Sequence, residues 1–336
     1  MEKNTNELYR VPCILYLVPM KTIQMPYSKL ARVLGVKDVY LKREDQHKYG
    51  SHKGRSIPPM VKKYFKDDGI TNFVISSSGN AALAAIHAIQ VHNSNNPSKL
   101  KLKVLVGKNI DHIKLKRLLK TVTDVNISIE QVERPKQMAF QMDKDGLSKN
   151  LRQSTDDTAL IGYYELAEEL DKIPNLAAIF IPTSSGTTAQ ALGEAFHMEN
   201  YLKLKQKPQI HIVQTTSCHP IVNCLPLPEG ESTRSDGGGG SPHAKGELEG
   251  VKSIAGAIVD KIAHRKEKVV ELIKQSKGSG WVVTDEEIKE AQKLAKETTS
   301  LQISPNAALS IAGLKKAVGH DLNWDNGVVV CLITGM

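Results

Sequence analysis

The feature that most constrains this 336-residue chain is a repeated alternation of short apolar runs with longer amphipathic stretches. The apolar runs predict strands at residues 38–42, 72–76, 101–106, 124–130, 177–181, 209–215 and 327–333. Helical spacing of apolar residues predicts helices at residues 54–66, 81–91, 112–119, 157–170 and 188–202. Because strand-then-helix repetition is typical of βαβ units, we predict an α/β fold with mostly parallel strands.

Two regions interrupt this pattern. Residues 218–250 contain four prolines and the run Gly-Gly-Gly-Gly-Ser at 237–241, and this composition indicates a surface loop. Residues 143–155 are polar and lack periodicity, so we predict a second break there.

The charge balance favours anionic partners. Lysine and arginine number 45 against 36 acidic residues, which gives a formal net charge of +9. Aromatic residues make up only 5% of the chain, which argues against a base-stacking surface. No run of five adjacent basic residues forms a binding tail, and no stretch approaches the ~18 apolar residues of a membrane span. We therefore expect neither nucleic acid nor membrane as a partner.

The cysteines indicate a reducing compartment. Four of them are scattered along the chain, at Cys13, Cys218, Cys224 and Cys331, without the spacing of a disulfide framework. The first six residues contain no apolar core of a signal peptide. We expect a soluble, cytoplasmic protein.

Common nucleotide and metal motifs are missing from the sequence. It contains no G-x-G-x-x-G between a strand and a helix and no G-x-x-x-x-G-K-[ST]. His211, Cys218, His219 and Cys224 lie near one another in the chain but lack the C-x-x-C pairing of structural zinc sites. We interpret them as ordinary loop and core residues and expect no metal.

Three strand-to-helix junctions carry more information, because ligands of open α/β folds bind at the carboxyl edge of the sheet. The first junction is the charged run 42–45 (Lys-Arg-Glu-Asp), followed by a glycine pair that brackets Lys53. Small neighbours would let a bulky group reach the amine, and a poorly hydrated lysine can form a Schiff base. Considered alone, this segment is better explained as a basic, glycine-broken loop on the surface.

The other two junctions combine hydroxyl groups with a helix start. Residues 76–82 (Ser-Ser-Ser-Gly-Asn-Ala-Ala) follow a predicted strand and open an alanine-rich helix. Residues 182–188 (Pro-Thr-Ser-Ser-Gly-Thr-Thr) follow another strand and precede a long helix. Free amides and hydroxyls at a helix N-terminus can bind a carboxylate or a phosphate. Simple helix capping is the alternative interpretation.

Taken together, in this order and spacing, the three segments resemble the pyridoxal-phosphate (PLP) enzymes of the tryptophan synthase β-like fold, known as fold type II. The resemblance extends from about residue 18 to the end of the chain. It implies two open, mostly parallel sheets flanked by helices. It also implies a large PLP-binding domain of residues 1–55 and 150–336, and a smaller mobile domain of residues 56–149 that carries the substrate-carboxylate loop.

The resemblance also implies roles for individual residues. Lys53 matches the lysine that binds the cofactor as a Schiff base and acts in catalysis, and Asn80 matches the residue that contacts the ring hydroxyl. Thr334 matches the hydroxyl at the pyridine nitrogen. The substrate-carboxylate loop would comprise Ser77, Ser78, Gly79 and Ala81. The cofactor's phosphate loop would comprise Ser184, Ser185, Gly186, Thr187 and Thr188.

The implied activity is elimination or replacement at Cβ or Cγ of an amino acid, with Lys53 removing the Cα proton. The resemblance is best to threonine synthase, which acts on O-phosphohomoserine, and the basic surplus suits a phosphorylated substrate. A threonine or serine ammonia-lyase is the alternative. Because the phosphate loop reads Ser-Ser-Gly-Thr-Thr rather than a glycine run, a non-catalytic relative that binds PLP or another anion also stays open. The family implies a homodimer with a small-molecule amino-acid substrate.

Overall fold

The computed structural model describes residues 21–198, 204–226, 252–324 and 326–335. Residues 1–20, with Cys13 and the start of the chain, and the glycine run 237–240 lie outside these ranges. The strands are β1 (Gln24–Pro26), β2 (Asp38–Arg43), β3 (Asn72–Ser76), β4 (Lys101–Gly107), β5 (Ile127–Val132), β6 (Lys149–Asn150), β7 (Leu176–Pro182), β8 (Gln209–Thr215), β9 (Gly280–Val283) and β10 (Val328–Ile333). The helices are α1 (Ser28–Leu34), α2 (Lys53–Asp68), α3 (Asn80–Asn95), α4 (His112–Thr121), α5 (Pro135–Lys144), α6 (Ile161–Leu170), α7 (Thr187–His197), α8 (Lys266–Gln275), α9 (Asp285–Thr299) and α10 (Pro305–Gly319).

Within the described ranges the strands form two sheets. The larger has six strands in the order β1-β2-β10-β7-β8-β9, and the smaller has four in the order β5-β4-β3-β6. Every pairing is parallel except that of the edge strand β1 with β2. The predicted α/β fold with two open, mostly parallel sheets is confirmed.

Helices cover both faces of the larger sheet. Leu309 and Ile311 of α10 pack on one face, and Leu166 of α6, Leu192 of α7 and Ile273 of α8 pack on the other. A sheet that is buried on both sides needs strands that are apolar at every position. All six residues of β10 are accordingly buried.

The predicted strand at residues 124–130 starts too early. Strand β5 begins at Ile127 because Asp124 makes a polar turn before it. The carboxylate of Asp124 accepts hydrogen bonds from the amide of Asn126 at 2.8 Å and from the side chain of Asn93 at 2.6 Å. These bonds hold Asp124 outside the ladder, as is usual for aspartate in turns.

Two predicted helices also differ in their bounds. The helix predicted at residues 157–170 divides into a 3₁₀ turn, Asp157–Ala159, and α6. The helix predicted at 188–202 ends at His197, whose Nε2 donates to the carbonyl of Pro208 at 2.7 Å. Residues 199–203 lie outside the described ranges.

The division into a large and a small domain stays a prediction. The strands of the smaller sheet come from residues 72–150, and those of the larger sheet come from 24–43 and 176–333. Helix α2, which crosses the predicted boundary at 55–56, packs on both α3 and α6. Among the described residues, none of the helices has the length and apolar character that a membrane crossing requires.

Candidate functional site

The predicted catalytic lysine lies at the carboxyl edge of the larger sheet, beside the end of β10. Ser51 forms an antiparallel bridge with Gly335, just beyond β10. The backbone amide of His52 donates to the carbonyl oxygen of Thr334 at 2.9 Å. The imidazole Nδ1 of His52 lies 2.6 Å from the same oxygen. Helix α2 then begins at Lys53. The lysine is therefore fixed against the carboxyl end of a central strand.

The protonation state of His52 follows from its surroundings. Burial lowers the pKa of this imidazole to about 3, so the ring is neutral near neutral pH. Because a carbonyl oxygen only accepts hydrogen bonds, Nδ1 carries the proton and Nε2 is the acceptor.

The amine of Lys53 is suited to act as a nucleophile and a base. Burial lowers its pKa from 10.5 to about 8, and the nearby carboxylate of Asp260 partly opposes this shift. Lys53 and Asp260 line the same cleft. A substantial fraction of the amine is therefore neutral at mildly alkaline pH, which is the reactive form.

A buried ion network supports the first turn of α2. The guanidinium of Arg55 donates to Glu44 at 2.6 and 2.8 Å and to Glu169 at 2.9 Å. The ammonium of Lys42 pairs with Glu169. Two cations and two carboxylates thus compensate one another in an almost fully buried site, where an unpaired charge is costly. Lys42 and Glu44 of the charged run at 42–45 have this structural role, whereas Arg43 of that run pairs with Asp45.

The predicted carboxylate loop reaches the same place from the smaller sheet. It leads from β3 into α3, which begins at Asn80, and the hydroxyl of Ser77 accepts a hydrogen bond from the amide of Gly79 at 3.3 Å. Gly335 has φ +156, and a Cβ built on it would lie 2.7 Å from Nδ2 of Asn80. The structure therefore brings Asn80 beside the segment that holds Lys53. Ser77 and Ala81 line the cleft, whereas Ser78 and Gly79 are half-buried beside it.

The predicted phosphate loop forms the start of α7. Gly186 is the residue before the helix and has φ +88, and a Cβ there would come within 2.8 Å of Val269. The hydroxyl of Ser184 accepts from the amides of residues 259 and 260 at 3.2 and 3.3 Å. Ser185 lines the cleft beside Lys53. Thr187 and Thr188 are buried in the first turn of α7.

One tyrosine behind this loop has an unusual environment. Tyr163, on α6, has no exposed surface, and its hydroxyl makes no hydrogen bond of normal geometry with any described residue. The side chains of Thr188 and Gln153 lie close to the hydroxyl. The ring centroid is 6.0 Å from that of His52.

Several cleft residues were missed in the sequence. Lys136, Arg152, Gln153 and Asp260 line the cleft with Lys53. Arg152 and Gln153 fall in the segment 143–155, which the sequence indicated only as an irregular break. That segment is held in place by Arg265, which is not part of the cleft lining. Its guanidinium donates to the carbonyl of Gln153 at 2.9 and 3.1 Å.

The comparisons with known proteins agree with this architecture. A sequence model of the family described as "Pyridoxal-phosphate dependent enzyme" matches residues 19–335, so the chain belongs to this family. Its fold is that of the PLP enzymes of fold type II, and the family is one of enzymes that depend on pyridoxal phosphate.

Curated relatives carry the name threonine synthase. The one from Methanosarcina acetivorans is 25% identical over 316 residues, covering 92% of this chain and 72% of the relative. The one from Methanocaldococcus jannaschii is 26% identical over 320 residues, with the same coverage of 92% and 72%.

Solved structures share the fold at lower identity. The processed form of threonine deaminase isoform 2 from Solanum lycopersicum has a TM-score of 0.71 at 17% identity, covering 94% of this chain and 79% of that chain. Serine racemase from Dictyostelium discoideum has a TM-score of 0.70 at 20% identity, with coverage of 94% and 92%. These likenesses show the fold.

The chemistry of the site fits pyridoxal phosphate. Lys53 offers a desolvated amine, and the start of the buried helix α7 offers free amides and hydroxyls for a phosphate. Thr334, buried at the end of β10, provides a neutral hydroxyl next to the lysine segment.

Proposed function

We propose that this enzyme acts as a threonine synthase, converting O-phosphohomoserine and water to threonine and phosphate. The observation that carries the proposal is the pair of cations, Lys136 and Arg152, in the same cleft as Lys53. Neither forms an ion pair with a carboxylate among the described residues. A phosphorylated substrate would supply the anion that these side chains suit.

The orientation of Arg152 supports a binding role. Its Nε donates to the hydroxyl of Ser154 at 3.0 Å, and its Nη2 lies 3.0 Å from Nε2 of His264. These two contacts hold the planar guanidinium in place, so less rotational freedom is lost when an anion binds.

In this proposal the cofactor would be held by Lys53 through its amine, by Asn80 and Thr334 at the ring, and by residues 184–188 at the phosphate. When bound, the cofactor supplies an electron sink for the electrons of the substrate Cα–H bond. The neutral amine of Lys53 takes the proton from Cα and returns it later. Ser77, with the start of α3, would bind the substrate carboxylate.

Arg152 and Lys136 would bind the substrate phosphate and neutralise its charge as the C–O bond breaks. The resemblance further supports two proposals about assembly. The smaller domain, residues 56–149, would close over the substrate, and two copies of the chain would form a homodimer in the cytoplasm.

The test measures which of two products the purified full-length chain forms when the cofactor is added. Phosphate release from O-phosphohomoserine supports the proposal, whereas 2-oxobutanoate formed from threonine without phosphate release supports an ammonia-lyase. We expect Lys53→Ala to abolish turnover. Arg152→Gln should lower kcat/KM for O-phosphohomoserine by about tenfold to a hundredfold, because it removes hydrogen bonds between charged groups.

A surface lysine on the same helix as Lys136 provides the control. Lys144 is in the last turn of α5 and does not line the cleft. Lys144→Met should leave kcat/KM unchanged, whereas Lys136→Met should lower it. Equal kinetics for these two variants would contradict the role proposed for Lys136. Activity of Lys53→Ala equal to that of the unaltered chain would refute the catalytic site.

A further inference from the structure

Two opposite charges share the cleft without pairing. Arg152 and Asp260 both line it, together with Lys53. A long arginine side chain that is free to rotate beside a carboxylate tends to form a bidentate ion pair with it. In the described part of the chain, Arg152 instead contacts the hydroxyl of Ser154 at 3.0 Å and Nε2 of His264 at 3.0 Å. These two contacts hold the guanidinium away from Asp260.

The contact with His264 has a defined direction. A guanidinium only donates hydrogen bonds, so Nε2 of His264 accepts and the ring proton is on Nδ1. The imidazole in this contact is therefore a neutral group, and it binds Arg152 without cancelling the positive charge. A carboxylate in the same place would neutralise the guanidinium and weaken its attraction for an anion.

The backbone on either side of His264 is firmly held, although the imidazole itself is exposed. Ala263 is buried and has φ +44, a left-handed conformation that residues other than glycine rarely adopt. Arg265 is buried and donates to the carbonyl of Gln153 at 2.9 and 3.1 Å. His264 is thus fixed beside the segment that carries Arg152. Backbone strain of this kind persists only where the surrounding structure maintains it, and it is frequent at functional sites.

We propose that His264 is a positioning residue, whose imidazole holds the guanidinium of Arg152 away from Asp260 and keeps it free to bind the phosphate group of the substrate. This inference rests on the proposed function, which places a phosphorylated substrate beside Arg152. It identifies a determinant of substrate class, because pairing of Arg152 with Asp260 would remove a cation that distinguishes a phosphorylated substrate from an unphosphorylated one.

The test compares two ligands that differ only in the phosphate. The full-length chain, loaded with pyridoxal phosphate, is mixed with O-phosphohomoserine or with homoserine. The absorbance change of the bound cofactor, recorded by stopped flow within the first turnover, gives a Kd for each ligand. We expect His264→Leu to raise the Kd for O-phosphohomoserine by about tenfold and to leave the Kd for homoserine unchanged, because only the phosphate uses the guanidinium.

Two further variants distinguish positioning from a general loss of structure. The side-chain carbonyl of glutamine can accept a hydrogen bond in place of Nε2, so His264→Gln should keep most of the affinity for O-phosphohomoserine. Asp260→Asn removes the competing carboxylate. In the Asp260→Asn background, His264→Leu should therefore change the ratio of the two Kd values much less than it does in the unaltered chain.

His112→Leu is the matched control. His112 is exposed at the start of α4 and does not line the cleft, so its replacement removes an exposed imidazole elsewhere on the surface. Both Kd values should stay the same in this variant.

The outcomes distinguish the inference from the function on which it depends. Unchanged Kd values in His264→Leu, an equal rise for both ligands, or an equal change of the Kd ratio with and without the Asp260 carboxylate overturns the inference and leaves the proposed function in place. If the unaltered chain binds both ligands equally well and Arg152→Gln changes neither Kd, the phosphate site of the proposed function and the inference are both refuted.

Discussion

Replacing Gly162 with alanine should displace the first turn of α2 and with it the reactive lysine. Gly162 is the second residue of α6, and a Cβ built on it would lie 1.6 Å from the carbonyl oxygen of Arg55. Carbon–oxygen contacts are normally no shorter than about 3.3 Å. The two helices must therefore separate locally by about 1.7 Å, because a backbone oxygen cannot rotate away as a side chain can.

The energetic cost of the substitution follows from the packing and the ion pairs of Arg55. Overpacking of a buried contact costs about 1–3 kcal/mol. A shift of α2 also strains the ion pairs of Arg55 with Glu44 and Glu169, which adds to that cost. The better helix propensity of alanine returns at most about 1 kcal/mol. We expect Gly162→Ala to lower the free energy of unfolding by about 3 kcal/mol.

Gly193→Ala on α7 is the matched control. Its Cβ would meet Cβ, Cδ1 and Cγ of Leu272 at 3.0 to 3.3 Å, so this neighbour must move by only a few tenths of an ångström. Urea unfolding followed by circular dichroism should show less than about 1 kcal/mol of change. The rate of Schiff-base formation at Lys53 should fall in Gly162→Ala only. Equal unfolding midpoints for Gly162→Ala and the unaltered chain would refute the reasoning.

Two further substitutions test the charges around Lys42 and around Lys53. Glu169→Gln leaves the buried ammonium of Lys42 without its carboxylate and should lower the free energy of unfolding by about 3–5 kcal/mol in urea; a change as small as that of the exposed Glu290→Gln would contradict this. Asp260→Asn removes a charge that raises the pKa of Lys53, so the pH midpoint of its reaction with pyridoxal should fall below about 8. An unchanged or higher midpoint would rule out that interaction.

The sheet strands could be predicted well because burial on both faces leaves a strong apolar signal. Strands β3 and β8 coincide with the predicted residues 72–76 and 209–215. Helices α5 and α8 were not predicted, because charged and amide side chains separate their few apolar residues and weaken the helical pattern. Strand β9 was not predicted because its four residues are too few to show a period.

The candidate site was predictable only where its residues lie on the connections that lead from a strand into a helix. Lys53, Ser77 and Ser185 lie on three such connections, and the structure places all three on one cleft. Arg152 and Asp260 line the same cleft but belong to segments without periodicity. Only the tertiary structure brings them together, so no local pattern predicts them.

The central place of β10 has a consequence for synthesis of the chain. Because β10 lies between β2 and β7, the larger sheet remains in two unjoined parts until residues 328–333 have left the ribosome. The smaller sheet draws its strands from residues 72–150 and can form long before that. Thr334, whose carbonyl holds His52 beside the lysine, arrives with the same late segment. A nascent chain therefore acquires its reactive amine in its final surroundings only after residue 334 has been synthesised and has left the ribosome.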